Sequence, residues 1–468
     1  MQLTKMSAQS SLRPCKVIIA GAGVAGLTLA LALEKNGIDF ILLEAYPEIV
    51  AQVGGGICLM PNGLRILDQL GCYEHLRDQV KQVFETVYIR DPSGQELHLS
   101  GGWDKQMVDR WSYSGIWCDR KILLQTLYDH IADKSKLLAR KRVATVRSEE
   151  DIVEVITTDG STYAGDILIG TDGTHSRVRQ EMVRLANERG VGHDYSDNEV
   201  SSTYACIFGT SSGVAGLEDG LLGWTLGKDY SYVVGTGPED RTYWFLASKM
   251  EKTYHGAEIP TFSENDKKQM IQRHWNDQIT PGLKMSDLYT ARLHLVCNPI
   301  REMVYQKWSL DRLIVLGDAA HAMLPSIAQG GNQALESVAA MTNALLASLS
   351  EPVIGRMSPT EIRSMFEEVQ GLRAQRALKI VALGRQRQQM DAMETPELEQ
   401  FMLHKFSAMM PGILIDRWDA QFAPAISLRY PAVPPRPREC QFDDEKEQIQ
   451  NAVFSDSERL KRIGGQHL

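Results

Sequence analysis

The chain has 468 residues, 43% of them hydrophobic and 23% charged, which is enough for two or three domains around a large core. A net charge of −9 and a pI near 5.7 speak against a nucleic-acid partner. Seven scattered cysteines with no C-x-x-C pair argue against a disulfide framework, a zinc or other metal site and a redox dithiol, and for a reducing, cytoplasmic setting.

The first fifteen residues lack a secretory-type apolar segment and read as a lead-in. No run of about 18 apolar residues free of charges and glycine turns occurs, so no integral membrane segment is expected, and peripheral contact with an intracellular membrane stays open. The first structured stretch is residues 16–33. Val17–Ala20 is a short apolar run suited to a parallel strand buried on both faces. Gly21, Gly23 and Gly26 follow in G-x-G-x-x-G spacing and lead into a helical apolar pattern. The first glycine permits the turn, the second lets a pyrophosphate approach the backbone, and the third lets the helix lie close to the strand. The phosphates would rest on the open N–H groups of the helix start. A second strand, residues 40–43, ends in Glu44, spaced to accept hydrogen bonds from ribose hydroxyls.

Residues 52–59 hold three successive glycines, of which Gly55 and Gly56 lead into an apolar run. They read as a loop against which a planar ligand can lie, with a plain flexible turn as the alternative. Residues 83–100 alternate around Asp91-Pro92-Ser93-Gly94 and read as a first excursion into a second, sheet-rich domain. Arg120 opens an amphipathic helix over residues 121–132. A cation gains nothing from the dipole at a helix start, so Arg120 answers a phosphate or carboxylate unless it is an ordinary surface arginine. Residues 143–157 and 161–163 read as a hairpin around Thr158-Asp159-Gly160. A buried strand, residues 167–169, then runs into Asp172-Gly173 with Arg177 and Arg179 just beyond, at the end of a strand where α/β sheets bind ligands.

From residue 181 to 294 short alternating runs predict an antiparallel sheet, read as the substrate domain. Its aromatics, Trp224, Tyr230, Tyr232, Tyr243 and Trp244, fit packing better than catalysis; Tyr232 alone is nominated as a pocket and catalytic residue. A third buried strand stops at Gly317-Asp318, and Gly330-Gly331 opens an alanine-rich helix. Asp318 could accept from a ribitol hydroxyl, and the amides at Gly330 and Gly331 could face an anion. His321 fits a satisfied structural histidine better than a base. Residues 358–406 predict a long charged helix or helix pair with Ile362, Met365, Phe366, Val369 and Leu372 inward and the Arg/Gln-rich stretch 373–389 solvated. Residues 430–438 read as extended, proline-rich chain, and the tail after Asp443 as mobile.

Taken together, G-A-G-V-A-G with Glu44, G-T-D-G-T-H-S-R-V-R at 170–179 and G-D-A-A-H at 317–321 resemble the three motifs of the single-component flavoprotein monooxygenases, the para-hydroxybenzoate-hydroxylase-like family. The match spans about residues 16–350 in the expected order. The resemblance implies an α/β fold: a Rossmann-type FAD-binding domain (1–180 and 295–350, with an excursion at 83–110), an inserted, mainly antiparallel β-sheet substrate domain (181–294) and a C-terminal helical segment with tail (351–468). It implies FAD held by the first and third motifs, Asp172-Gly173 serving both flavin and NADPH, and Arg120 as a flavin-contacting arginine. NADPH would visit transiently, since only one G-x-G-x-x-G occurs. The implied chemistry is transfer of one oxygen atom from O2, through a flavin C4a-hydroperoxide, to an apolar small molecule. The P-P-R-P-R stretch at 434–438, Asp443-Asp444 and Tyr243-Trp244-Phe245 resemble fungal meroterpenoid and indole-diterpene epoxidases, which implies a prenyl or terpenoid alkene substrate. An aromatic-ring hydroxylase is the alternative, and a non-catalytic flavin-binding protein a remote one.

Overall fold

A computed structural model describes residues 12–51, 55–81, 83–195 and 200–447. The lead-in before residue 12, residues 52–54 of the glycine loop and the end of the polar tail lie outside the described residues.

The apolar runs read from the sequence form the centre of a six-stranded sheet, ordered Ser309–Leu310, Leu313–Val315, Ile167–Gly170, Lys16–Ala20, Asp39–Leu43 and Leu137–Leu138. Its pairs are parallel except at the Ser309–Leu310 edge. Val17, Ile18, Ile19 and Ile167–Ile169 are sealed from solvent, which is why they carry no alternation: helices cover both faces of such a sheet. Helix Val24–Lys35 follows the first strand directly and packs against helix Gly330–Ser350.

A seven-stranded sheet forms the second layer, ordered Arg292–Pro299, Ser201–Ser212, Arg241–His255, Tyr230–Gly237, Leu221–Gly227, Thr86–Arg90 and Glu96–Ser100. The excursion at 83–100 therefore does contribute two strands to this sheet, joining it through a parallel pair with Leu221–Gly227. Its two faces sort by parity. Ile207, Tyr232, Val234, Trp244 and Leu246 pack on one side with Met270 and Ile271 of helix Glu264–Arg273. Cys206, Leu222, Trp224, Tyr243 and Phe245 face the other way, into a cluster with Leu414, Trp418 and Phe422 of helix Gly412–Phe422.

Four expectations need correction. Residues 143–157 are not one strand but two, Val143–Ser148 and Val153–Thr157, turning at the charged stretch 149–152 before Thr162–Gly165 completes a three-stranded antiparallel sheet. Sheet character begins at Ser201 rather than near 181, because Arg177–Glu188 is a helix whose Glu181 accepts from Thr145 Oγ1 at 2.8 Å and Val146 N at 3.0 Å. The helix pair at 358–406 is present as Pro359–Asp391 and Pro396–His404, but its Arg/Gln-rich part is not a solvated face. Arg373, Arg387 and Gln388 are buried, and Leu372 is 54% exposed. Finally, the chain after Asp443 is held in part: Arg65, itself buried in helix Pro61–Gln69, pairs with Asp444 at 2.8 Å and Glu445 at 3.1 Å and lies over the Phe442 ring. Just upstream, Arg436 donates to Asp68 of that helix at 2.6 Å and to Glu74 of the next helix, Tyr73–Val80, at 2.6 Å, so the proline-rich segment straps back onto both.

The burial of Arg373 has a clear cause. Glu336 is fully buried in helix Gly330–Ser350, where an unpaired carboxylate could not persist. It accepts from Arg373 Nη1 and Arg376 Nε at 2.6 Å each, and from Asn62 Nδ2 at 2.7 Å. Burial alone would raise the Glu336 carboxyl, but the two guanidiniums and the Asn62 amide hold it at about 2. His321 sits beside this knot, against Trp308, with Nε2 2.9 Å from Ser337 Oγ. Burial, with Arg373 adding, pushes its imidazole down to about 3, so it is neutral and structural.

Two predictions follow from the knot. Arg373→Met leaves Glu336 short of one counter-charge and should lower stability by about 3 kcal/mol in urea unfolding. Stability should also fall on acidification, in two stages. Below the ordinary imidazole value of 6.5 the unfolded chain protonates at His321 while the folded one does not; by pH 4.5 this should cost roughly 2–3 kcal/mol. Below 4.5 the Glu336 contribution is lost in turn, down to about 2. His321→Gln should flatten the slope of the thermal midpoint between pH 6.5 and 4.5.

Candidate active site

The glycine turn divides its work among three positions. Gly21 has φ +102°, and a Cβ there would meet Thr171 O at 2.8 Å; at Gly26 a Cβ would stand 1.8 Å from Gly21 O. These two allow the turn and the close seating of the helix. Gly23 alone of the three lines the adjoining cleft. It is the N-cap of helix Val24–Lys35 with no side-chain cap, and Gln329 likewise leaves the start of helix Gly330–Ser350 uncapped by a side chain. Two helix starts with open amides thus border one cleft of about 550 Å³, which Gly330 and Gly331 also line.

Arg120 and Asp318 line the same cleft. Arg120 is the first residue of helix Arg120–His130, its amide donating to Gly55 O at 3.2 Å, and a Cβ on Gly23 would lie 3.3 Å from its Nη2. Burial lowers the Arg120 pKa, opposed by the nearby charges of Asp318 and Glu44. Asp318 opens onto the cleft yet is deeply set; that burial raises its carboxyl, with Arg120 pulling it back. Glu44 stands beneath the turn, accepting from Ala22 N at 2.6 Å and Tyr46 N at 2.8 Å. Each oxygen keeps a second lone pair for a ribose hydroxyl.

Other nominated residues are placed differently. Gly56 lines the cleft, whereas Gly55 sits behind it near Phe208. Gly173 lines the cleft, but the carboxylate of Asp172 does not reach it. Asp172 turns to the start of helix Arg177–Glu188, accepting from Ser176 Oγ, from Arg177 N at 2.7 Å and from Val178 N at 3.1 Å, so it is a capping group that fixes the Gly173 turn. Arg179 also points away, donating to Lys307 O at 2.6 Å. Tyr232 is fully buried on the far face of the sheet, its hydroxyl donating to Asp277 at 2.9 Å. The nomination of Tyr232 as a pocket residue fails by one position: Val233, of opposite parity, lines the pocket.

That pocket is a second, apolar chamber of about 210 Å³. It shares Cys58, Trp117, Pro325 and Ala328 with the cleft and so adjoins it. Its walls come from the inner sheet face (Leu222, Trp224, Val233) and from the two C-terminal helices (Leu383, Leu414, Trp418). Sequence reasoning missed the helical half. The signal was present: carrying the buried period of Ile362, Phe366 and Val369 forward reaches Arg373, Ala377, Ile380, Gly384, Arg387 and Asp391.

The chain matches the model of an FAD binding domain over residues 14–353. The chain is 38% identical over 345 residues to the FAD-dependent monooxygenase anuJ of Penicillium roqueforti, covering 71% of this chain but only 42% of that longer relative. It is 33% identical over 426 residues to the FAD-dependent monooxygenase olcE of Penicillium canescens, with 90% of each chain covered. In fold it is similar to Klebsiella pneumoniae HpxO complexed with FAD and uric acid, with a TM-score of 0.71 at 20% identity over 90% of this chain and 98% of that one.

The cleft fits FAD on its own geometry: uncapped helix starts and Arg120 for a pyrophosphate, Asp318 for a hydroxyl, and Gly23 without a side chain at the turn; Glu44 does not line the cleft and stands behind that turn. Glu44→Ala and Asp318→Ala each remove a charged acceptor and should weaken FAD binding roughly 10- to 100-fold. Gly26→Ala should abolish it by displacing the turn. Flavin-to-protein absorbance after gel filtration reads all three.

Proposed function

The chain belongs to the FAD-binding-domain family of flavin-dependent monooxygenases, and from that premise we propose that it transfers one oxygen atom of O2 to the alkene of a prenylated or terpenoid small molecule of secondary metabolism, with NADPH as transient reductant. The chemistry supplied by bound FAD is two-electron reduction by a nicotinamide, followed by activation of O2 for single-atom transfer. The protein's own residues bind, orient and keep water away. The amides at Gly23, Gly330 and Gly331 with Arg120 would hold the pyrophosphate, and Glu44 and Asp318 the hydroxyls. The residues shared at Cys58, Trp117, Pro325 and Ala328 bring a substrate in the chamber up to the cleft.

One observation carries the choice of alkene over arene. The chamber is lined mainly by aliphatic and indole side chains; its polar lining residues are two arginines, Arg387 and Arg417, with Ser326, Gln386, Gln421 and an exposed Asp416, and it holds no histidine or tyrosine that could serve as a base. Ring hydroxylation of a phenol gains from a base that takes the phenolic proton, whereas epoxidation removes no proton from the substrate. A dry, apolar wall suits a hydrocarbon chain and protects a reactive oxidant from water. On this reading the parallel sheet, within 1–180 and 295–350, is the nucleotide unit; the seven-stranded sheet, with 83–110 and 181–294, forms the substrate unit, and residues 351–468 close the chamber.

Purified holoprotein supplied with NADPH, ¹⁸O2 and a geranylated phenol should yield a product 18 mass units heavier, with the label on the geranyl chain by fragment mass spectrometry. Label on the ring would instead establish the aromatic hydroxylase, and NADPH oxidation without labelled product would reject the substrate class.

A further inference from the structure

The chamber is apolar in its walls but not inert. Arg387, buried on helix Pro359–Asp391, lines it. Its Nε donates to Asp391 at 2.7 Å, and its guanidinium lies 4.6 Å from the centre of the Trp224 ring and 5.6 Å from that of Phe406. Stacking satisfies the face of the guanidinium and the ion pair satisfies one edge. The Nη2 group is buried without any acceptor. Two more donors on the same lining share that condition, the indole Nε1 atoms of Trp224 and Trp117. Buried N–H groups are almost always partnered, so three unpartnered donors on the chamber's walls, against two unpartnered buried acceptors, Asp391 Oδ1 and Gln421 Oε1, mark a place where a further acceptor oxygen belongs. Arg417 lines the chamber as well, with only a sulfur contact at Met390, so two guanidiniums face one buried carboxylate, Asp391, and the exposed rim carboxylate Asp416. The inner wall carries an excess of positive charge in a water-poor space, which favours an anionic oxygen.

We propose that the chamber takes an amphipathic substrate whose acidic oxygen group, a carboxylate or a phenolate, accepts from Arg387 Nη2 beside the Trp224 indole, with its hydrocarbon chain running toward Pro325 and Ala328 at the mouth of the cleft. This rests on the reading of the chamber as the substrate site. Arg387 is then a specificity-determining residue: anchoring the head inside sets which part of the chain reaches the cleft.

The test is equilibrium binding to the holoenzyme, followed by perturbation of the flavin spectrum without NADPH. Three probes share one chain: 3-geranyl-4-hydroxybenzoate, its methyl ester and geranylbenzene. Wild type should bind at least one headed probe tenfold or more tightly than geranylbenzene; preference for the acid over the ester assigns the carboxylate, and equal binding of the two assigns the phenol. Removing the pair together, Arg387→Met with Asp391→Asn, avoids stranding a buried charge and should bring all three probes within about threefold of one another, at unchanged affinity for geranylbenzene. Trp224→Phe keeps the stack, removes only the N–H, and should weaken the headed probes alone, by about threefold; it tests the proposal even if the double variant does not fold. Equal binding of all three probes by wild type, or a headed preference that survives both variants, overturns the anchor and leaves the proposed function standing. Failure of every probe to perturb the flavin overturns both.

Discussion

A single fully buried carboxylate, Glu336, organises the molecule. Two arginines from helix Pro359–Asp391 and an asparagine from helix Pro61–Gln69 converge on it. It lies two turns into the helix whose first residues, Gly330 and Gly331, line the cleft. The same arginine-bearing helix supplies Arg387 and Leu383 to the chamber. One electrostatic knot therefore fixes the helix whose start lines the cleft relative to the helix that walls the chamber. Hydrophobic packing alone tolerates sliding of one helix on another; a buried ion pair with hydrogen-bonded partners does not, because any displacement strands a charge.

Much of this was legible in the chain, and what was legible has a common character. The glycine turn, the three apolar strands and the presence of Arg120 and Asp318 on one cleft are local patterns, in which each residue's position follows from neighbours a few positions away. What escaped depends on partners far off in sequence. Nothing near Arg373 indicates that Glu336 awaits it, so a charged stretch read as a wet face while Leu372, one residue earlier, carries the exposure instead. Tyr232 shows the other limit: an alternating strand fixes two faces but not which of them meets the pocket, and Val233 took the role. Asp172 was legible as part of a motif but not in its task, since a carboxylate after a strand can face a ligand or cap the next helix, and here it caps.

The two cavities divide chemistry between them in a way the sheets explain. A parallel sheet collects helix starts at one edge, and these favour phosphate. An antiparallel sheet offers a broad apolar face, which the C-terminal helices roof over. Where the two meet, Trp117 stands on both linings, its ring stacked 5.9 Å from that of Tyr243.

The strap over helix Pro61–Gln69 has a bearing on how the molecule is made. Arg65 is sealed from solvent, and the carboxylates that neutralise it are Asp444 and Glu445, roughly 380 positions later. On a ribosome adding about 5–20 residues per second, that arginine waits on the order of half a minute for its counter-ions. Throughout that interval this early helix must either keep its cation in water, leaving its apolar side bare, or be sheltered by another protein. Synthesis of the segment carrying Asp444 and Glu445, rather than emergence of the first domain, is thus the event that neutralises Arg65.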